Sequence, residues 1–268
     1  MVTELKYAKT NTYLINGKDK YILFDTDWAG TFSLFCKSLK KFGIKVQDIG
    51  YLFISHFHPD HMGIAQKIAD SGVQIVVMDI QQNFIHNADQ IFEKEKRLKF
   101  IPIDDSKIRI VSISESRTFL SEIGINGEIF HTPGHSDDSI SLYLDDGFLL
   151  VGDLNPLYEL EAHKGTQIAD SWDILLNLKP KVVYYGHAKA AVLDKSTPKT
   201  SLEKVSDKEI FSLVKKIMKC IDKGYSVDII QKKTGADIEF IQDVARMYLT
   251  HQNVSVQGIL DRIEIKNK

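Results

Sequence analysis

The stretch SHFHPDHMG, residues 55–63, places three histidines and an aspartate within six positions, directly after the apolar run 49–54. Successive side chains of an extended backbone alternate, so His56 and His58 are expected to point the same way. Asp60 and His61 follow the turn that Pro59 favours, and they should reach a neighbouring point. This geometry suits two metal ions side by side.

The alternative is a set of surface histidines at a strand end that bind no metal. Three imidazoles and a carboxylate crowded in this way would repel one another on protonation or disturb one another's solvation. Further ligands would strengthen the metal interpretation, and the chain supplies His135 in FHTPGHSDD, Asp153 in LLVGDL and His187 in VVYYGHAK. Each follows an apolar, β-rich run, so we expect three separate strand ends to converge on the first motif.

The order HxHxDH, then His, Asp and His, resembles the metallo-β-lactamase superfamily of binuclear metallohydrolases over roughly the first 190 residues. The resemblance implies one metal ion held by His56, His58 and His135, a second held by Asp60, His61 and His187, and Asp153 bridging them. Two divalent ions are therefore expected as cofactors. Zinc is our first choice, with iron or manganese as alternatives, because imidazole and carboxylate ligands accept all three. A water shared by two such ions loses its proton near neutral pH, and the resulting hydroxide would be the nucleophile.

The alternation of strand-like and helix-like segments indicates an α/β fold. The resemblance implies more: an αββα four-layer sandwich of the metallo-β-lactamase type, with a C-terminal helical appendage. Strands are predicted over 12–15, 21–24, 49–54, 73–78, 108–113, 118–120, 128–130, 140–144, 148–151 and 182–185. Helices are predicted over 32–42, 64–70 and 171–178, the last with Ser171 as its N-cap.

A polar, breaker-rich stretch after about residue 190 predicts a boundary between a hydrolase core, 1–195, and a helical C-terminal cap or small helical domain, 196–268. Helices are predicted over 208–222, 227–233, 237–252 and 256–263. The segment around Gly235 has a faint helix-turn-helix pattern with Ile230 and Ile241 as core positions. Six basic residues balance six acidic ones over 226–268, which argues against nucleic-acid binding. Packing on the core, shaping the substrate cleft and homodimerisation stay open as roles.

Composition fits an enzyme that acts on a small molecule. The 268 residues carry a formal net charge of −2, which also argues against a general nucleic-acid binder. The N-terminal sequence lacks the pattern of a secretory signal, and no run of about 18 apolar residues could span a bilayer. We therefore expect no membrane association and a cytoplasmic location. The two cysteines, Cys36 and Cys220, fit no disulfide or zinc framework and are expected to be at least partly buried.

Several residues near the predicted ligands are candidates for supporting roles. Asp25, at a strand end, is expected to orient a ligand through a hydrogen bond. Asp27 and Trp28 are candidates for one wall of the cleft, and Asp138 for bracing a ligand or capping a turn. His131 is left out of the metal set, because a single histidine in a strand is more often structural.

The candidate catalytic residues are Asp60, which is also a ligand, together with Tyr158 and His163. The last two lie, with Trp172, in the segment that lines the substrate pocket in the resembled family. Either could donate a proton to the leaving group or stabilise an oxyanion. Each could equally be a surface residue without a role.

The reaction expected from these residues is hydrolysis of a carboxylic ester, lactone or thioester. β-Lactamase activity is disfavoured because secreted β-lactamases usually lack the bridging aspartate, here Asp153, and usually have a signal peptide. Flavodiiron chemistry is disfavoured because such oxidoreductases carry glutamate at the position of His58. In homoserine-lactone lactonases a tyrosine commonly lies three positions after the bridging aspartate, where this chain has Pro156, although Tyr158 could substitute. Glyoxalase II enzymes usually have two glycines after the motif, where this chain has Gly63-Ile64. The alternatives are a phosphodiesterase or nuclease on the same centre, or a regulatory protein that acts through its helical tail.

Overall fold

The computed structural model describes residues 2–94, 99–193 and 207–250. These residues fall into two compact units. One contains the described residues up to 156 together with 163–193, and the other contains 157–162 and 207–250. The predicted linker and the predicted helix over 256–263 lie outside the described residues, except for the linker's first few positions.

Eleven strands in the described ranges form two sheets. The strands are β1 Val2–Leu5, β2 Thr12–Asn16, β3 Tyr21–Phe24, β4 Ile49–Phe53, β5 Gln74–Met78, β6 Ile108–Val111, β7 Gly127–His131, β8 Ile140–Leu144, β9 Phe148–Leu150, β10 Val182–Tyr184 and β11 Ala191–Val192. The first sheet has the order β1-β2-β3-β4-β5-β6, and the second has the order β11-β10-β9-β8-β7. Strands β3 to β6 are parallel, as are β9 and β10, whereas the other neighbours are antiparallel.

Helices alternate with these strands, as the sequence pattern predicts. They are α1 Phe32–Lys41, α2 Pro59–Met62, α3 Ala65–Ala69, α4 Asp89–Lys94, α5 Ser116–Glu122, α6 Gln167–Asn177, α7 Asp207–Asp222, α8 Val227–Thr234 and α9 Ile238–Thr250. Short 3₁₀ turns lie at Val46–Asp48, Asp79–Phe84, Asp105–Lys107, Ile113–Glu115 and Leu157–His163. Within these ranges, no helix is both long and apolar enough to cross a bilayer.

The two faces of the first sheet belong to different cores. In β3, Leu23 packs into a cluster with Phe35 and Leu39 of α1, whereas its neighbours Ile22 and Phe24 pack into a second cluster. That second cluster also contains residues of β7 and β8, so it lies between the two sheets. This alternation follows the two-residue period of a strand. The fold is thus the mixed α/β arrangement of sheets and helices that the sequence predicts.

The prediction of a strand over 118–120 is wrong, because these residues belong to α5. Ser116, Phe119 and Leu120 are all buried. They are spaced i, i+3 and i+4, which places them on one face of a helix rather than on alternate faces of a strand. Helix α5 packs against β7.

The predicted start of α6 at Ser171 is also wrong, because the helix begins at Gln167. Ile168, Trp172 and Leu175 are buried at helical spacing, so the apolar stripe begins one turn earlier than predicted. Ser171 lies inside the helix, and its hydroxyl donates a hydrogen bond to the Pro133 carbonyl at 2.7 Å. It contributes to the anchoring of the loop that carries His135.

The helical unit contains α7, α8 and α9, which pack around their own core. Ile230 and Ile241 are buried there, as predicted. Gly235 ends α8 in the left-handed region with a φ of 70°, a conformation that glycine adopts without steric cost. Cys36 in α1 and Cys220 in α7 are both half-buried free thiols.

Candidate metal centre

Four strand ends deliver the predicted ligands to one place. The 55–63 segment follows β4, the loop with His135 follows β7, Asp153 follows β9 and His187 follows β10. Backbone hydrogen bonds tie these strand ends together: Ile140 N–H donates to the Ser55 carbonyl at 2.8 Å, and Gly186 N–H to the Gly152 carbonyl at 2.6 Å. The expected convergence is therefore observed.

One group of imidazoles contains His56, His58 and His135. Nε2 of His56 lies 2.9 Å from Nδ1 of His58, and Nε2 of His135 lies 3.1 Å from the same Nδ1. His56 is fully buried, whereas the other two face the surface. The three nitrogens are close enough together to hold a single metal ion.

A second group contains Asp60, His61 and His187. Oδ2 of Asp60 lies 2.9 Å from Nε2 of His187 and 3.9 Å from Nε2 of His61. One nitrogen or oxygen from each of the three lies within 4.8 Å of the others. This group also has the size and the donor atoms of a metal site.

Asp153 lies between the two groups. Its carboxylate is 3.3 Å from Nε2 of His61 and 3.4 Å from Nε2 of His187 on one side, and 3.7 Å from Nε2 of His135 on the other. Asp153 also forms a third potential metal group with His56 and His61. A carboxylate in this position can reach ions in both sites.

Two buried atoms at the centre make no well-formed hydrogen bond within the described part of the chain. They are Nε2 of His61 and Oδ1 of Asp153, which face each other at 3.3 Å and form an ion pair when His61 is protonated. Buried polar groups are normally satisfied. A divalent ion would satisfy both atoms, so the residues present fit a metal centre.

Gly186 makes this close packing possible. A Cβ added there would overlap Oδ1 of Asp153 and come within 2.8 Å of Cε1 of His61. Since the overlapping atoms belong to two predicted ligands, no larger residue fits without displacing them. This is a reason for glycine directly before His187 that the sequence did not reveal.

Burial keeps part of the first group neutral. It lowers the pKa of His56 well below its ordinary value, and the neighbouring imidazoles lower it further. Burial also lowers the pKa of His135. The neutral imidazole is the form that binds metal, so no proton has to be displaced from His56.

Carboxylates have the largest influence on the protonation of the second group. Burial opposes the charge on His61, but Asp25 and Asp153 prevail and raise its pKa well above the ordinary value. Burial likewise opposes the charge on Asp60, yet the His187 hydrogen bond and His61 hold the pKa of that carboxyl at about 2. In the metal-free chain a proton on His61 therefore balances charge that a cation would otherwise balance.

Asp25 makes the hydrogen bond to a ligand that the sequence predicts. It is buried, with Oδ2 3.0 Å from Nδ1 of His61, and its Oδ1 accepts a hydrogen bond from Ser55 N–H at 2.6 Å. Ser55 was not singled out from the sequence, yet its Oγ lies 3.0 Å from Nδ1 of His56 and 3.4 Å from Nδ1 of His61. The non-ligating nitrogens of both histidines are thus fixed.

Asp138 braces the ligand loop rather than a ligand. Its Oδ2 accepts a hydrogen bond from Phe57 N–H at 2.7 Å, between His56 and His58. The side-chain amide of Gln81, which the sequence gave no reason to select, donates to the carbonyls of Ile54 and Asp138 at 3.0 Å each. Gln81 is fully buried, and it joins the two loops that carry the first group.

The prediction that Asp27 and Trp28 form a cleft wall is wrong for Asp27. Asp27 is fully buried. Its carboxylate accepts three backbone hydrogen bonds, from Lys9 and Thr10 at 2.8 Å and from Trp28 at 2.7 Å. Trp28 packs edge-on against Phe92, 5.6 Å between ring centres. Asp27 therefore anchors a loop.

A cleft of about 360 Å³ opens beside the first group. Its lining residues are Phe57, His58, Phe84, Asn87 and the loop 134–138. The lining mixes aromatic rings with polar groups, as expected for a small-molecule site.

His163 and Trp172 belong to none of the three metal groups. His163 is half-buried at the end of a 3₁₀ turn, and its carbonyl accepts a hydrogen bond from the Thr166 hydroxyl. The side chain of Tyr158 lies outside what the structure describes. Trp172 is fully buried and donates to the Asn155 carbonyl at 2.8 Å, so it is a core residue. His131, left out of the metal set, lies 2.8 Å from the Asp137 carbonyl oxygen.

Comparison with known families agrees with this arrangement. The sequence model of the Metallo-beta-lactamase superfamily matches residues 7–187, more than half of the chain and the whole candidate centre. The chain belongs to the metallo-β-lactamase superfamily. Members of this superfamily typically bind divalent metal ions, and the His/Asp groups described above could hold them.

Two curated proteins are similar to this chain over part of their length. A protein named "Probable metallo-hydrolase" from Methanocaldococcus jannaschii is 32% identical over 145 residues, 54% of this chain and 66% of that protein. A "Beta-lactamase-like protein 2 homolog" from Drosophila melanogaster is 25% identical over 185 residues, 66% of this chain and 58% of that protein. The chain thus spans less than two thirds of the length of either relative.

Solved structures of the superfamily share the fold. A metallo-beta-lactamase family protein from Thermus thermophilus superposes with a TM-score of 0.54 at 20% identity, covering 80% of this chain and 82% of that one. At this identity the likeness shows the fold alone.

Proposed function

We propose that this chain is a metal-dependent hydrolase that cleaves a carboxylic ester, lactone or thioester. In this proposal His56, His58 and His135 hold one divalent ion, Asp60, His61 and His187 hold a second, and Asp153 is shared. Zinc is the first candidate, with iron and manganese as alternatives. Membership of the superfamily and the name metallo-hydrolase of one relative support the proposal.

The observation that carries the proposal is the convergence of seven donor side chains into overlapping groups, each small enough to hold one ion. At their centre Nε2 of His61 and Oδ1 of Asp153 face each other at 3.3 Å, and neither makes a well-formed hydrogen bond among the described residues. A protonated His61 pairs with Asp153 in the metal-free chain, and a bound ion would replace that proton.

The bound ions would supply an activated water and Lewis-acid stabilisation of the negative charge that develops on a carbonyl oxygen. The residues of the chain then have to hold this machinery in place. Asp25 and Ser55 fix the rings of His56 and His61 from behind, and Asp138 fixes the backbone between His56 and His58. With water activated in this way, no side chain is needed as a general base.

The substrate would enter by the cleft beside His58 and His135. The half-buried Phe84 offers apolar surface for an acyl group, and Asn87 and Ser136 offer hydrogen bonds. We assign the protonation of the leaving group to Tyr158 or His163, which follow Asp153 in the sequence. A leaving alkoxide needs such a donor more than a leaving thiolate, because an alcohol is the weaker acid.

A parallel hydrolysis assay tests this proposal. Zinc-loaded protein is incubated with a phenyl ester, a lactone, a thioester and bis-(p-nitrophenyl) phosphate, and the assay is repeated after chelation and with His56→Ala. The proposal expects turnover of at least one carboxylic substrate that is lost in both controls. Turnover of the phosphodiester alone would favour a phosphodiesterase or nuclease instead. Activity that survives chelation and His56→Ala contradicts the proposal.

A further inference from the structure

The β1–β2 loop, residues 6–11, contacts both ligand-bearing loops of the second metal group. It lies far from them in sequence, since Thr10 and Asp60 are 50 residues apart and Asn11 and Tyr185 are 174 apart. Every residue of this loop lies in the same compact unit as the metal groups. The loop contributes no predicted ligand, so its contacts are all indirect.

Asn11 holds the backbone on both sides of His187. Its side-chain amide donates hydrogen bonds to the carbonyls of Tyr185 and Ala188, each at 3.0 Å. Its backbone N–H donates to the Gly186 carbonyl at 2.7 Å. Three hydrogen bonds from one residue thus surround the position of His187.

Thr10 holds the other ligand loop. Its hydroxyl donates to the backbone carbonyl of Asp60 at 2.8 Å, and Thr10 itself is 1% exposed. The carboxylate of Asp27 fixes Thr10 in turn, since it accepts the backbone N–H groups of Lys9 and Thr10. A buried carboxylate with three charge-assisted hydrogen bonds is a strong anchor.

These contacts are specific to one metal group. Among the hydrogen bonds of the described residues, none joins 6–11 to His56, His58 or His135. The loop with His135 is held instead by Ser171, whose hydroxyl donates to the Pro133 carbonyl. Asp60 and His187 are 24% and 39% exposed at their side chains, so burial alone holds them less firmly than it holds His56.

We propose that Thr10 and Asn11, anchored by Asp27, are positioning residues that set the distance between Asp60 and His187 and so form the second metal site selectively. The inference rests on the proposed function, because it assumes that the two groups hold metal ions. Without the loop, the first site would keep its geometry, whereas Asp60 and His187 would lose their fixed separation. Residues behind metal ligands typically account for 10–100-fold in metal affinity.

The test is a stepwise zinc titration of metal-free protein against a chromophoric chelator, which reports the affinity of each ion separately. The variants are Thr10→Val, which removes the hydroxyl at nearly constant shape, and Asn11→Asp, which removes both side-chain donors. Thr10→Ser keeps the hydroxyl and is the conservative rescue. Tyr143→Phe removes a hydrogen bond to the Leu178 carbonyl that involves none of the metal groups, and it is the matched control.

We expect Thr10→Val and Asn11→Asp to bind the first ion as the wild type does and the second about 10–100-fold more weakly. Thr10→Ser and Tyr143→Phe should bind both ions normally, and Ser171→Ala should weaken the first ion instead. Unchanged affinity for the second ion in both loop variants overturns the inference, as does equal weakening of both ions. A wild type that binds no second ion overturns the two-metal proposal itself, a result that differs from either. Thermal unfolding of each variant identifies any that do not fold. If Asn11→Asp does not fold, the affinities of Thr10→Val and Thr10→Ser for the second ion are compared, and equal affinities overturn the inference.

Discussion

Oδ1 of Asp153 lies 3.3 Å from Nε2 of His61, and both atoms are buried. In the metal-free chain a proton on His61 makes the two side chains an ion pair. In a metallo-β-lactamase-fold protein a metal ion is expected to replace that proton and to bind both atoms.

Replacing Asp153 with asparagine should abolish the sharing of one carboxylate between the two sites. The amide keeps the shape of the carboxylate but loses its charge, so we expect loss of the second ion. We also expect kcat/KM for hydrolysis to fall by more than about 100-fold, because even residues that only hydrogen-bond to a metal ligand typically account for 10–100-fold. Metal content and kcat/KM measure the two effects. The control is Asp19→Asn, an exposed carboxylate in the β2–β3 turn that belongs to none of the metal groups. Full metal content in Asp153→Asn would count against a bridging role.

Asp25→Asn should weaken metal binding without straining the backbone. Asp25 has a φ of 65°, a region that asparagine tolerates and alanine does not. The amide has only one oxygen, so it cannot accept from both Ser55 N–H and His61 as the carboxylate does. We expect a loss of about 10–100-fold in affinity for zinc, measured by competition with a chelator. Asp25→Ala should lose stability in addition, and an Asp25→Asn variant with wild-type affinity would contradict the role given to Asp25.

Gly186→Ala should disrupt the centre directly, because the added Cβ overlaps Asp153 and crowds His61. We expect loss of metal and a lower melting temperature. Gly43→Ala is the matched control: its Cβ would meet nothing within 4 Å, although its φ of 72° makes alanine costly by about 1 kcal/mol. Gly43→Ala should thus lose stability and keep its metal. If both variants retain metal equally, the packing argument for Gly186 fails.

The metal-free protein should lose stability as pH rises above neutral. Because the pKa of His61 is raised in the folded chain, its stabilising contribution is complete below the unfolded value of about 6.5 and is lost as pH rises through the folded value. His56, with a lowered pKa, acts in the opposite sense and destabilises below about 6.5. We therefore expect a stability maximum near pH 6.5, seen as a maximum in melting temperature after chelation. In Asp25→Asn the melting temperature should fall less steeply above about pH 6.5, because Asp25 helps to raise the pKa of His61. An unchanged slope in this pH range would contradict His61 as the cause of the fall.

The predicted ligand set could be found from the sequence because each member follows a strand, and strands of a sheet that run in the same direction end at a common edge. This rule and the resemblance were enough to predict that His135, Asp153 and His187 lie close to the 55–63 segment. Their proximity is geometric, and the sequence predicted it.

The supporting residues could not be found in the same way. Gln81 and Asn11 act through backbone carbonyls 27 and 174 residues distant, and such contacts depend on loop paths that no local pattern encodes. The three-residue strand predicted at 118–120 was too short a window to separate a period of 2 from one of 3.6. Asp27 was predicted to line the cleft, and no local pattern indicates the three backbone N–H groups from which its buried carboxylate accepts hydrogen bonds.

The most direct test of the central claim is the metal content of the purified protein under metal-replete conditions, measured by elemental analysis beside protein concentration. The seven-residue centre predicts about two equivalents of divalent metal per chain, falling to about one or less in Asp153→Asn and in His56→Ala. About one equivalent or less in the wild type would contradict the claim that this cluster is a binuclear metal centre.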